Sequence, residues 1–118
     1  NGFQTANSIK RTKISLKRAE NQLEQDKLDL ETNVYQAYYD AESAFKSYEA
    51  AQKALDARTL AFDYSQERYN VGLMNAFDYL QAKSALETAE SEVIRTKFDY
   101  IFKIKVLEFF FGIPFDKL

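Results

Sequence analysis

The chain has 118 residues, 46% of them hydrophobic and 29% charged, with a net charge of −2 and neither cysteine nor histidine. That length holds one domain, disulfide and thiolate chemistry are excluded, and the charge balance gives no global reason to expect nucleic acid as a partner. No glycine or proline occurs between residues 3 and 71, which rules out a many-turned globular fold and points to long helices.

The chain opens at Asn1-Gly2-Phe3 without a methionine, as expected of a segment of something longer. Lys10, Arg11, Lys13, Lys17 and Arg18 all precede the first acid, Glu20, whereas the long middle is acidic. Such a basic start either faces an anionic surface such as lipid headgroups or is an ordinary solvated helix face. No apolar run approaches the roughly 20 residues of a membrane-spanning helix, and no signal peptide is present.

From Leu30 onward, apolar or small residues recur at spacings of three and four: Leu30, Val34, Ala37, Ala41, Ala44, Tyr48, Ala51 and Leu55. Phe62 and Tyr69 keep the register, with Arg58 and Ser65 as polar interruptions, so the pattern predicts a coiled-coil seam on a helix over about 5–69. A second row, Ala50, Ala54, Ala57, Ala61 and Tyr64, lies on a neighbouring face and predicts more than one packing partner.

The helical pattern breaks once, at residues 70–75. Gly72 stands where a helix needs a left-handed residue to stop, and Asn75 follows as an N-cap with Asp78 at the spacing of a capping box. The seam then resumes as Tyr79, Ala82, Leu86, Ala89, Val93, Thr96, Tyr100 and Leu107, predicting a second helix over about 76–111. Gly112 and Pro114 mark its end, before an extension at 112–118. The expected fold is therefore all-α: one long helix, a tight glycine turn and a shorter helix returning antiparallel to the first.

Folding at Gly72 sets the end of the second helix opposite roughly residue 34, which leaves about 25 residues of a first helix on the order of 90 Å long without an intrachain partner. Ile9, Ile14, Leu16, Leu23 and Leu28 lie in that overhang, and Ile101 through Phe111 carry more apolar surface than one seam needs. The isolated chain is accordingly expected to self-associate through the overhang and Phe109-Phe110-Phe111.

Catalysis is not expected: the carboxylates are scattered along rods without a concave pocket, and Glu87, Glu90 and Asp99 read as a solvated face. No phosphate-binding loop, dinucleotide fingerprint or zinc spacing occurs, and no cofactor or metal is implied.

Arg68-Tyr69-Asn70-Val71-Gly72-Leu73, Phe77-Asp78-Tyr79-Leu80-Gln81-Ala82 and Phe98-Asp99-Tyr100, in place between two heptad arrays, resemble the TolC-type outer-membrane efflux proteins over nearly the whole chain. The match is to the periplasmic helical hairpin of that family's second repeat. The resemblance implies a trimeric export duct of Gram-negative bacteria, a β-barrel in the outer membrane continued into the periplasm by twelve helices, of which this chain would supply two of each protomer's four. The partners implied are a periplasmic adaptor, the membrane fusion protein, and an inner-membrane transporter that supplies the energy, so that conduction through the duct is passive.

The same resemblance implies site residues. Val71, Gly72 and Leu73 match the tip that meets the adaptor, and Asp78 matches a position whose acidic side chains narrow the pore; a well-capped turn is the plainer reading of all four. Gln81 occupies a place that is acidic in some members, which would make the carboxylate ring a single layer. Tyr69 matches a tyrosine whose contacts help hold the closed state, although its place in the seam also fits core packing. Met74 stands where some members carry a basic residue, which leaves a salt-linked lock open. The competing reading is a soluble coiled-coil scaffold that oligomerises through the same seams without a pore. A membrane-surface hairpin is disfavoured, because the basic and aromatic residues are not on opposite faces of one helix.

Overall fold

The computed structural model describes residues 1–112; Pro114 and the rest of the expected extension lie outside the described residues. Two helices make up the fold, α1 over Gly2–Asn70 and α2 over Ala76–Phe110. The chain divides into two units, Asn1–Gln36 and Ala37–Leu118.

The first unit is the amino-terminal part of α1, and every side chain from residue 1 to 33 is exposed. Ile9, Ile14, Leu16, Leu23, Leu28 and Leu30 all keep about half or more of their surface in solvent. Helix propensity and side-chain pairs along the helix maintain this stretch: Gln22 and Gln25 donate to Asp26 and Asp29 one turn on, at 2.9 and 2.8 Å.

The second unit is the antiparallel hairpin that the heptad pattern predicts. Its α1 seam is built from alanines: Ala37, Ala41, Ala44 and Ala51 are the buried hydrophobic residues, with Tyr48, Leu55 and Phe62 half-buried in the same register. On α2, Tyr79, Ala82, Leu86, Ala89, Val93, Tyr100 and Leu107 are half-buried and Thr96 is buried. Alanine at the contact lets two helix backbones approach closely, and it gives up no side-chain entropy on burial.

Two polar residues in the seam are satisfied rather than disruptive. Ser65, expected as an interruption, is buried and donates its hydroxyl to the Ala61 carbonyl at 2.9 Å. Thr96 does the same to Glu92 at 2.8 Å, so neither hydroxyl is an orphan in the interface.

Aromatic pairs brace the seam near the turn and again within its alanine stretch. Near the turn, Tyr79 stacks on Tyr69 with centroids 4.5 Å apart and meets Phe62 at 5.6 Å. Farther along, Tyr100 packs against Phe45 at 5.3 Å and lies parallel to Tyr48 at 6.5 Å. Each such pair contributes about 0.5–1.5 kcal/mol beyond its buried area. The second alanine row, Ala50, Ala54, Ala57, Ala61 and Tyr64, is wholly exposed in this chain, as is a ridge on α2 formed by Ile94, Phe98, Phe102 and Phe109.

Candidate functional site at the hairpin tip

The tip is made by ending one helix and starting the next within five residues, with backbone bonds closing the end of α1 and a side-chain cap opening α2. At the end of α1 the Gly72 amide donates to the Tyr69 carbonyl at 3.0 Å and the Leu73 amide to Arg68 at 2.8 Å. This pair of bonds is a Schellman motif, which requires the left-handed conformation that Gly72 adopts at φ +78°. The usual apolar contact of that motif is replaced by a polar one, in which the Arg68 guanidinium donates to the Leu73 carbonyl at 3.5 Å.

Asn75 begins α2 with extended backbone angles of −77° and 161°, and its side-chain oxygen accepts from the Asp78 amide at 2.8 Å. The box differs from the expected form. Asp78 is too short to reach the Asn75 backbone as a glutamate would, and its carboxylate instead accepts from the Asn75 side-chain amide at 3.0 Å. An acid in the first turn also interacts favourably with the positive end of the helix dipole.

Cap chemistry accounts for Gly72, Asn75 and Asp78 but not for the apolar side chains around them. Val71 and Leu73 are each 69% exposed and Phe77 is 68% exposed. Together with the exposed Leu80 they form an apolar collar at the turn, of which Phe77 and Leu80 were not singled out from the sequence. The signal was present, since both fall off the register of Tyr79, Ala82 and Leu86.

The expected site residues separate into three settings. Val71, Gly72, Leu73 and Asp78 lie together at the tip, with Asp78 exposed and bound to its own cap. Tyr69 is stacked on Tyr79 and spans the two helices. Gln81, one turn beyond Asp78, lines an open groove of about 540 Å³ between the helices, with Arg58, Ser84, Thr88 and Glu92 among its walls. Met74 is half-buried and offers no charge to pair with.

Arg95 grips Glu92 with two bonds, Nε to Oε2 at 2.9 Å and a terminal nitrogen to Oε1 at 2.5 Å. That hydrogen bonding lowers the Glu92 carboxyl below its ordinary value and raises the Arg95 guanidinium. Among the described residues no cluster of histidine, cysteine, aspartate or glutamate is arranged to hold a metal ion, and no helix is long and apolar enough to cross a membrane.

The hairpin thus ends in a capped turn that carries exposed apolar residues, and some of its faces are left uncovered within this chain. The family model for outer membrane efflux proteins matches residues 1–101. The chain belongs to the outer membrane efflux protein family. No curated protein and no solved structure matches it. As an efflux protein segment it is a component of an outer-membrane efflux channel, a family whose role is transport and not catalysis.

Proposed function

We propose that this hairpin is a periplasmic α-barrel segment of a trimeric export duct, and that its tip docks onto the adaptor of a tripartite pump. The observation that carries this reading is the collar of Val71, Leu73 and Phe77, left in solvent at a turn already closed by Gly72 and capped by Asn75. Apolar side chains in that position have no role in ending or starting a helix, whereas they suit capture of another helical hairpin. The exposed alanine row on α1 supports lateral packing into a ring, since small residues permit close helix neighbours.

In this reading Asp78 has two tasks. It closes the cap of α2, and its three symmetry copies form a carboxylate ring that narrows the duct and favours cations. Gln81 continues the constriction without charge, and Tyr69 holds the α1 end in the closed arrangement through its stack on Tyr79. Exit through the duct is passive, driven by an inner-membrane transporter.

Conductance of the full-length parent in a planar bilayer, native against Asp78→Asn, tests the pore. Channel openings whose size or cation preference changes with the substitution are expected. Unchanged openings would reduce Asp78 to a helix cap, and no openings at all would leave the scaffold reading. Leu73→Asp is expected to abolish adaptor capture in a pull-down while leaving conductance intact; undiminished capture would remove the tip from the docking surface.

A further inference from the structure

Residues 1–19 of α1 contain five basic side chains and no acid, although the chain as a whole is acidic. All five are exposed, and among them only Lys17 is seen in an ion pair, a long one of 3.9 Å to Glu20. At 100° per residue, Lys10, Arg11, Lys13, Lys17 and Arg18 occupy a sector about 160° wide. Ile9, Leu16 and Leu23 lie on the side away from it, a heptad apart from one another, while Ile14, 48% exposed, falls within it.

We infer that this basic face docks onto a membrane surface bearing anionic lipid headgroups. The geometry separates two tasks that would otherwise compete. A helix packed on the face of Ile9, Leu16 and Leu23 leaves the lysines and arginines accessible, with Ile14 standing among them. Charge complementarity selects the occupant. An efflux protein of the outer membrane lives beside phospholipid, and a rigid row of cations with almost no acid to neutralise it matches a charged bilayer surface. Binding is peripheral and electrostatic. With the Ile9, Leu16 and Leu23 face taken up by helix packing, the helix does not insert as an amphipathic anchor does.

Vesicle co-sedimentation of the 118-residue chain tests the inference, with phosphatidylcholine vesicles prepared with and without phosphatidylglycerol. Preferential binding to the anionic vesicles, lost at high salt, is expected. Each basic residue near such a surface contributes roughly fivefold in affinity, so Lys10→Gln, Lys13→Gln and Lys17→Gln together lower binding on the order of 100-fold. The control triple Lys46→Gln, Lys53→Gln and Lys97→Gln changes net charge equally, through exposed lysines of the hairpin, and is expected to bind as the native chain does. Glutamine keeps helix propensity, and circular dichroism verifies that both triples are helical. Equal binding to neutral and anionic vesicles, or an equal loss in the control triple, overturns the inference. Tighter binding to duplex DNA than to the anionic vesicles at the same ionic strength also overturns it, by making the face a general polyanion site.

Discussion

Residues 9–30 and residues 37–51 belong to the same helix and carry similar apolar patterning, yet their burial is the reverse of their hydrophobicity. Ile9, Leu16, Leu23 and Leu30 are at least half exposed, while Ala37, Ala41, Ala44 and Ala51 are at most 7% exposed. The difference teaches that burial follows the partner and not the side chain. Alanines are found where this chain supplies its own neighbour, and the large aliphatics mark surface for which it supplies none.

The comparison can be broken most severely at the alanine seam. Ala44→Leu forces methylenes between closely packed backbones and is expected to destabilise the hairpin by about 1–3 kcal/mol in urea denaturation; a neutral result would mean that the helices are not in close contact there. Gly72→Ala ranks next. No atom lies within 4 Å of the added methyl group, so the cost is that of holding φ at +78° alone, about 1–2 kcal/mol. A loss much larger than this would reveal a steric contact at the tip.

The exposed half sharpens the contrast. Leu16→Ala is expected to change the stability of the chain, measured at dilution below self-association, by less than about 0.5 kcal/mol, because the side chain is 60% exposed; a Leu-sized loss would mean that self-association still covers it. The smallest effect belongs to Glu92, whose carboxyl is held below its ordinary value by Arg95. A depressed carboxyl stabilises the fold above its unfolded pKa, and this contribution disappears as pH falls through the folded value. Glu92→Gln should therefore lower neutral stability slightly and flatten the acid limb by the same small amount, leaving stability at low pH unchanged. An unaltered acid limb would show the pair to be idle.

The periodic positions and the punctuation were legible in the sequence. Threes and fours located the seams, and Gly72, Asn75 and Asp78 marked the turn, because left-handed backbone and capping make strong demands on residue type. Thr96 was placed in its seam correctly, and Ser65 held the register as a polar interruption; it is buried because a serine can return its hydrogen bond to its own helix. The short reach of Asp78 likewise changed the cap from a backbone bond to a side-chain one. What a linear pattern does not encode is the number of partners a face meets, and for that reason the row from Ala50 to Tyr64 predicted a contact that this chain alone leaves open.

The ring pairs that brace the hairpin differ greatly in the length of chain they enclose. Tyr69 and Tyr79 are ten residues apart, whereas Phe45 and Tyr100 are separated by fifty-five. Closing the longer loop directly costs about 1.5 kcal/mol more in chain entropy than closing the shorter. Folding is therefore expected to start at the turn and zip toward the open end, with Tyr79→Ala slowing refolding and Tyr100→Ala chiefly speeding unfolding. Stopped-flow kinetics would expose the opposite order. A nascent chain in this scheme completes its turn before its ends have met, so the apolar surface at the tip is also the earliest one to exist.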